Sequence, residues 1–310
     1  MKILVLGAGA IGGYFGGRLV EANAADVTFL VRDGRRQQLN RDGLRVESQY
    51  GSFAVPVQMV SDGEITTPFD YVLLTCKAYD LDSAIASIRP AVGPNTVVIP
   101  LLNGISHMDT LNAAFGRERV LGGIAKIGIT LQADGLIKHL NDWRFFTFGE
   151  QDGTVSPRAL ALKTAFDKTS VVAAAVPDIT FQMWEKLVHL ASLAAMTTLM
   201  RANVGEIARA PGGSALMQEM LNRNAAIATR TGHPPTPAFM DNFTTMFADT
   251  SAIYTASMLR DIERKGPVEA DHIVGYMLQQ AEKYGIDASM HRIAYAHLKA
   301  YEQRRAAGRL

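Results

Sequence analysis

Three glycines near the N-terminus have the spacing of a site for nucleotide phosphates. Gly7, Gly9 and Gly12 follow a short apolar run and precede a segment that is compatible with a helix. In a strand–turn–helix unit of this kind, the first glycine allows the turn, the second admits a pyrophosphate close to the backbone, and the third lets the helix pack on the strand. The amide groups at the start of the helix then face the phosphates. The predicted dinucleotide site comprises Gly7, Ala8, Gly9, Ala10, Ile11 and Gly12.

The competing interpretation is a glycine-rich turn that binds no ligand. It leaves unexplained the further glycines Gly13, Gly16 and Gly17, which lower the stability of the helix. A second apolar, β-rich segment at residues 26–31 completes the expected strand–turn–helix–strand context. We therefore favour the dinucleotide site.

Arg32 indicates which dinucleotide the site takes. It follows the second strand, about twenty residues beyond the glycines, where NAD-specific folds usually carry an acidic residue that binds the ribose 2′-hydroxyl. An arginine at this place suits a 2′-phosphate, so the expected cofactor is NADPH/NADP. Asp33 is the competing residue, because its carboxylate could bind a hydroxyl. For at least one of Arg35 and Arg36, a solvated position at the start of a helix is the better interpretation.

Two further polar residues follow apolar strands. Lys77 comes after the strand predicted at residues 70–75, and Asn103 comes after the strand predicted at residues 96–102. Ligands of open parallel sheets lie beyond the carboxyl ends of the strands, so Lys77 is a candidate cofactor contact. A surface lysine that starts a helix is the competing interpretation. The side chain of Asn103 offers two donors and an acceptor to a carboxylate or a carboxamide.

The second half of the chain adds three polar candidates. Lys186 shares a helical face with Leu190, and a lysine beside an apolar stripe is more often a surface residue than a catalyst. Ser257 lies in the segment SMLRDIERKG. Glu269 is expected near the start of a helix, where a glutamate is normally a surface residue that complements the helix dipole.

The elements that carry these residues change in character at residues 177 and 178. Before this point, strands alternate with helices, which predicts an α/β fold with a doubly wound sheet and a mostly antiparallel extension. The extension is predicted as a hairpin-like insertion at residues 44–60 and as paired strands at residues 120–131 and 135–148. After this point only helices are expected, at residues 179–200, 214–231, 237–247, 267–284 and 290–302. We therefore expect an NADP-binding domain at residues 1–177 and a helical substrate and catalytic domain at residues 178–310.

The composition excludes several classes of function. The 31 Lys and Arg residues balance the 30 Asp and Glu residues, so no nucleic-acid partner is expected. The single cysteine, Cys76, suits a reducing compartment. No apolar run is long enough for a signal peptide or a membrane span, and a cytoplasmic protein is the expectation. The histidines show no metal-ligand spacing, and no nucleophile elbow is present.

Five segments together resemble the ketopantoate reductase (2-dehydropantoate 2-reductase) family: GAGAIGG, TCKAYD, LLNGIS, WEKL and SMLRDIERKGPVEADHIVG. They follow the family's order and spacing over nearly the whole chain. The resemblance implies a Rossmann-type N-terminal domain and an all-helical C-terminal domain like that of 6-phosphogluconate dehydrogenase. It also implies the NADPH-dependent reduction of a 2-oxo acid, 2-dehydropantoate, to (R)-pantoate in pantothenate and coenzyme A biosynthesis.

The resemblance implies a role for each candidate residue. Lys186 matches the family's catalytic lysine and Glu269 its active-site glutamate. The implied substrate contacts are Asn103 and Ser257, and the implied NADPH contacts outside the glycine turn are Arg32, Lys77 and again Asn103.

One departure from the family pattern lies on the helix of the lysine. The family commonly has asparagines four and eight residues after it, whereas this chain has Leu190 and Ala194. A pocket without these polar groups discriminates poorly for a hydroxylated substrate, so a less hydroxylated 2-oxo acid is a second possible substrate. An opine-type substrate and a non-catalytic NADPH-sensing role also stay open. The apolar helical domain is compatible with a homodimer.

Overall fold

The computed structural model describes residues 1–310, which divide into two compact units. The first unit comprises Met1–Leu102 and His107–Thr180, and the second comprises Asn103–Ser106 and Phe181–Leu310. The domain division that the sequence predicts between residues 177 and 178 stays a prediction.

The first unit contains all of the strands. They are β1 (Lys2–Leu6), β2 (Asp26–Leu30), β3 (Leu44–Glu47), β4 (Phe53–Val55), β5 (Gln58–Val60), β6 (Tyr71–Leu74), β7 (Val97–Pro100), β8 (Gly122–Lys126), β9 (Ile129–Leu131), β10 (Ile137–His139), β11 (Phe145–Gly149) and β12 (Val172–Ala175). The α-helices between them are α1 (Ala10–Glu21), α2 (Asp33–Asp42), α3 (Leu81–Ile88), α4 (His107–Phe115) and α5 (Pro157–Phe166).

Five strands form a parallel sheet in the order β5-β2-β1-β6-β7. Ile3, Leu4 and Val5 on the central strand are completely buried, as expected of a strand that is covered on both faces. Because β2, β1 and β6 are parallel neighbours, the segments that follow them lie at the same edge of the sheet. The predicted doubly wound α/β sheet is confirmed.

Two smaller sheets extend the first unit, in the orders β4-β3-β10-β9 and β12-β11-β8. Strands β9 and β10 are antiparallel and are joined by a turn in which Gly135 has a φ of +85°. Strands β8 and β11 are antiparallel as well. The predicted pairing of residues 120–131 with residues 135–148 is confirmed.

The hairpin-like insertion predicted at residues 44–60 is wrong in its last part. Strands β3 and β4 form the antiparallel pair, but β5 pairs with β2 in parallel and is an edge strand of the main sheet. Alternating apolar and polar residues are found in a hairpin and in an edge strand alike. The sequence pattern therefore identified a strand at residues 58–60 but not its partner.

The second unit is helical, as the sequence predicts. Its helices are α6 (Ile179–Met200), α7 (Val204–Arg209), α8 (Gly213–Arg230), α9 (Pro237–Ala248), α10 (Ser257–Glu263), α11 (Tyr276–Lys283) and α12 (Ser289–Ala306). Helices α7 and α10 were not predicted, because each is too short to show a helical period in its apolar residues. None of the helices has both the length and the apolar composition that crossing a membrane requires.

The helix predicted at residues 267–284 begins later than expected. Residues 267–269 have no regular structure, a π-helical turn follows at Asp271–Gly275, and α11 begins at Tyr276. The carboxylate of Asp271 accepts hydrogen bonds from the Tyr295 hydroxyl at 2.6 Å and from the Lys299 ammonium at 3.1 Å. The π-helical turn is thus tied to α12 by tertiary contacts, which the helical period of a sequence does not reveal.

Candidate active site

The glycine turn between β1 and α1 depends on its first and third glycines. Gly7 has a φ of +90°, a backbone conformation that other residues rarely adopt. A Cβ atom on Gly12 would lie 2.2 Å from the carbonyl oxygen of Gly7 and 2.5 Å from Oγ1 of Thr75. The Thr75 hydroxyl donates a hydrogen bond to the carbonyl oxygen of Leu6 at 2.7 Å. The turn therefore packs against the end of β6 at a distance that only glycine allows.

No contact within the protein requires a glycine at the second position of the turn, Gly9. Gly9 has a φ of −78°, which any residue adopts, and a Cβ atom there would meet no protein atom within 4 Å. Gly9 is also the N-cap of α1, and no side chain caps this helix. The first turn of α1 therefore presents uncapped amide groups beside open space, which fits the pyrophosphate of a dinucleotide.

The other glycines of α1 serve packing inside the first unit. A Cβ atom on Gly16 would lie 2.8 Å from the ring of Phe29 on β2, and one on Gly17 would lie 2.8 Å from the side chain of Leu44 on β3. A Cβ atom on Gly13 would lie 2.3 Å from Ile137 on β10. These glycines let α1 approach two sheets closely, so they carry no information about a ligand.

Arg32 lies two residues after the end of β2, at the N-cap of α2. Its side chain is 84% exposed, and it forms an ion pair with Asp80 at a distance of 3.4 Å, so the guanidinium can turn toward a ligand at little cost. Asp33 is exposed in the first turn of α2. The structure thus places both candidate readers of the ribose at the edge of the sheet where the glycine turn lies.

Arg35 and Arg36, one turn further on, both make specific contacts. Arg35 donates from Nε to the carbonyl oxygen of Ala8 at 2.9 Å and from Nη1 to the carbonyl oxygen of Gly135 at 3.1 Å. Arg36 forms an ion pair with Glu64 at 3.0 Å. Sequence reasoning missed the contact of Arg35, because both arginines look alike in a polar stretch at a helix start.

Lys77 follows β6 and is the N-cap of a short 3₁₀ turn at Ala78–Asp80. Since β6 is the neighbour of β1, the half-buried Lys77 lies at the same edge of the sheet as the glycine turn. The structure therefore collects the predicted cofactor residues of the first unit at one edge. Asn103, which follows β7 in the chain, belongs to the second unit by its contacts.

In the second unit, the structure brings Lys186 and Asn103 together. Nζ of Lys186 on α6 donates a hydrogen bond to Oδ1 of Asn103 at 3.2 Å, and both residues are half-buried. The next residue, Gly104, has a φ of +86°, and a Cβ atom there would lie 2.9 Å from the carbonyl oxygen of His272. The Asn103 segment therefore lies against the π-helical turn that begins at Asp271.

Glu269 lies two residues before this turn and is 5% exposed. Glu269 is therefore not the surface residue that a glutamate near a helix start normally is, because the helix begins later and the neighbouring residues 268 and 270 are buried as well. Ser257 is half-buried at the first position of α10. Both residues thus lie in the same unit as the Lys186–Asn103 pair.

Comparison with known proteins finds a single protein family over both units. The family model described as ketopantoate reductase PanE/ApbA matches residues 3–153, and the model of the C-terminal part of that protein matches residues 178–302. The chain belongs to the ketopantoate reductase family. It is an oxidoreductase that reduces 2-oxo acids with NADPH.

Individual relatives match over nearly their whole length. The uncharacterized oxidoreductase YkpB of Bacillus subtilis (strain 168) is 35% identical over 302 residues, which cover 97% of this chain and 99% of the relative. The crystal structure of 2-dehydropantoate 2-reductase from Methylococcus capsulatus is 27% identical, with a TM-score of 0.87 and coverage of 99% and 98%. A D-mandelate dehydrogenase, solved with NADH and anilino(oxo)acetate, shares the fold at 21% identity, with a TM-score of 0.88 and 99% coverage of both chains.

In this ketopantoate reductase family member, Leu190 and Ala194, at the positions where the resemblance implies asparagines, follow Lys186 on α6. Leu190 is half-buried one turn further on, and Ala194 is 1% exposed another turn on. His189, which lies between Lys186 and Leu190, stacks its ring on Phe243 with a centroid distance of 4.0 Å. This side of α6 therefore presents apolar and aromatic groups next to the lysine.

Proposed function

We propose that this protein reduces 2-dehydropantoate to (R)-pantoate with NADPH. In this proposal it is a cytoplasmic enzyme of pantothenate and coenzyme A biosynthesis, and residues 178–310 form its substrate and catalytic domain. The hydrogen bond between Lys186 and Asn103 carries the proposal. It pairs a cationic proton donor with an amide that can bind a carboxylate, and both groups are half-buried.

Lys186 has the chemistry that ketone reduction requires. Bound NADPH supplies a hydride to the ketone carbon, and negative charge then grows on the ketone oxygen. The Lys186 ammonium stabilises this charge and gives its proton to the oxygen. Because Oδ1 of Asn103 accepts from Lys186, the amide group Nδ2 of Asn103 is turned away from the lysine and can donate to the substrate carboxylate.

Glu269 and Ser257 complete the substrate contacts. The buried carboxylate of Glu269 accepts a hydrogen bond from the hydroxyl of 2-dehydropantoate, and Ser257 donates to its carboxylate. A carboxylate that accepts a hydrogen bond from the hydroxyl gives specificity, because an analogue without the hydroxyl loses this hydrogen bond.

Apart from Asn103, the proposed cofactor contacts lie in the first unit. The amides of the glycine turn bind the pyrophosphate, since the open space at Gly9 and the uncapped start of α1 fit this group. Arg32 and Lys77 bind the 2′-phosphate that distinguishes NADPH from NADH.

A second candidate function is the reduction of a less hydroxylated 2-oxo acid. Leu190 and Ala194 favour it, because apolar side chains at these positions of α6 offer no hydrogen-bond partner to a substrate hydroxyl. A non-catalytic NADPH sensor is disfavoured by the Lys186–Asn103 pair, which cofactor binding alone does not need.

A matched pair of substrates tests the proposal. NADPH oxidation is measured with 2-dehydropantoate and with 3,3-dimethyl-2-oxobutanoate, which differs only in lacking the hydroxyl. We expect a value of kcat/KM that is at least about tenfold higher for 2-dehydropantoate, on the order of one lost hydrogen bond. A preference for the analogue supports the second candidate. Tight NADPH binding without turnover of any 2-oxo acid supports the sensor.

A further inference from the structure

Arg35 connects the glycine turn to another sheet of the first unit. Its Nε donates to the carbonyl oxygen of Ala8, which lies between Gly7 and Gly9, and its Nη1 donates to the carbonyl oxygen of Gly135. Gly135 lies in the turn between β9 and β10. One planar guanidinium thus holds two backbone segments that are distant in sequence, a geometry that the fork of arginine provides and a lysine does not.

The far end of this connection is closely fitted. A Cβ atom on Gly135 would lie 2.7 Å from Nη1 of Arg35 and 3.2 Å from Oε1 of Gln38. Gln38 accepts a hydrogen bond from Nη1 of Arg35 at 3.1 Å and donates to the carbonyl oxygen of Ala133 at 3.2 Å. Because two side chains and a glycine form the contact, Arg35 has a fixed place and is not a mobile surface residue.

No carboxylate neutralises Arg35. Its acceptors are two backbone carbonyl oxygens and the Gln38 amide oxygen, and its Nη2 is buried without a partner. Burial and the nearby Arg45 lower the pKa of Arg35. Burying part of a cation without an ion pair costs free energy. Packing of the turn alone does not require a charged side chain at this position. Arg36 is the contrast, because it pairs with Glu64 and does not touch the glycine turn.

We propose that Arg35 is a positioning residue for the cofactor, which holds Ala8 so that the amides of the glycine turn keep the conformation that receives the pyrophosphate. The inference rests on the proposed assignment of residues 7–12 as the cofactor site. Since the pyrophosphate is common to NADPH and NADH, Arg35 supports both cofactors equally. Arg32 differs in this respect, because it is proposed to read the 2′-phosphate.

Calorimetric titration of the whole protein with NADPH and with NADH tests the proposal. Arg35→Met should weaken the binding of both cofactors by the same factor, about tenfold, which is the scale of one hydrogen bond to a charged group. Arg35→Lys should weaken cofactor binding by nearly the same factor, because an ammonium keeps the charge but cannot donate to both carbonyl oxygens at once. Arg36→Met is the matched control and should bind both cofactors like the wild type.

Hydrogen exchange of the cofactor-free protein provides a second readout. The amides of residues 8–12 should exchange faster in Arg35→Met than in the wild type and in Arg36→Met, whereas the amides of β6 and β7 should not change. If Arg35→Met does not fold, Gly135→Ala displaces the guanidinium without removing it, and this variant should weaken the binding of both cofactors.

The outcomes separate the inference from the function on which it rests. Unchanged binding of both cofactors in folded Arg35→Met or Gly135→Ala overturns the inference. A loss confined to NADPH also overturns it, because Arg35 would then contact the 2′-phosphate. A wild-type protein that binds neither cofactor overturns the assignment of the glycine turn itself.

Discussion

Nζ of Lys186 lies 3.2 Å from Oδ1 of Asn103, although the two residues are 83 positions apart in the chain. Asn103 is delivered by a segment that passes through Gly104 and lies against the π-helical turn, whereas Lys186 is fixed on the long helix α6. The contact orients both side chains at once. The amide oxygen is neutral, so it positions the ammonium without cancelling its charge.

Replacing Lys186 with alanine should remove turnover and spare cofactor binding. Loss of a general acid and of the charge that stabilises the ketone oxygen should lower kcat at least about 100-fold. The NADPH dissociation constant, measured by titration, should stay within about twofold of the wild-type value. Lys163→Ala is the control, because Lys163 is a surface lysine of α5 that pairs with Asp167 at the end of this helix. Substantial turnover by Lys186→Ala would contradict the assignment of the acid.

Four strands of the main sheet were predictable because they are covered on both faces. Residues buried on both faces of a strand form continuous apolar runs, which are visible in the sequence at β1, β2, β6 and β7. The partner of β5 was not predictable, because pairing depends on the path of the chain in space. For the same reason, periodicity predicted the long helices but not the π-helical turn.

The structural reason for a candidate site residue can be deduced from the sequence only where that reason is local. Gly7 is required by its own backbone angle, and the sequence pattern identified it. Arg35 acts on Ala8 and Gly135, and Thr75 acts on Leu6, so the reason for each lies in another part of the chain. The burial of Glu269 likewise depends on where the next helix begins.

Replacing Arg32 with aspartate should change the preference between the two cofactors. A carboxylate repels the 2′-phosphate of NADPH and can accept the ribose 2′-hydroxyl of NADH. We expect kcat/KM for NADPH to fall about 10- to 100-fold relative to that for NADH, as for loss of a hydrogen bond to a charged group. The control is Arg41→Asp, at an exposed arginine near the other end of α2. If Arg32→Asp keeps the wild-type preference, then Asp33 or another residue reads the ribose.

Alanine at Gly9 should mainly weaken NADPH binding, whereas alanine at Gly12 should mainly lower the thermal stability of the protein. At Gly9 the added Cβ meets no protein atom, so the melting temperature should fall little, whereas the dissociation constant for NADPH should rise because the Cβ occupies the space of the pyrophosphate. At Gly12 the Cβ would lie 2.2 Å from the Gly7 carbonyl oxygen, so the melting temperature should fall by several degrees. Thermal unfolding and cofactor titration of both variants provide the measurement. Unaltered NADPH binding by Gly9→Ala would contradict the assignment of the turn.

A buried histidine should make the second unit sensitive to acid. Nε2 of His291 lies 2.9 Å from Oδ1 of Asn224, whose Nδ2 donates to Oγ of Ser192, and all three residues are buried. Burial, assisted by the positive charge of Arg223, lowers the pKa of His291 to about 4, and Asp287 opposes this shift. His291 is therefore neutral in the folded protein at neutral pH.

The direction of the pH effect follows from this lowered pKa. In the unfolded chain His291 takes up a proton below the ordinary histidine pKa of 6.5, whereas in the folded protein it does so only near 4. The unfolded state binds more protons in this interval, so the free energy of unfolding should fall by up to about 3 kcal/mol as the pH falls from 6.5 to 4. Urea unfolding at several pH values measures this loss in the wild type and in His291→Gln, whose amide can still donate to Asn224. Other histidines with lowered pKa values contribute to both curves, so the difference between the curves reports His291. Parallel curves would show that His291 is not held neutral by the fold.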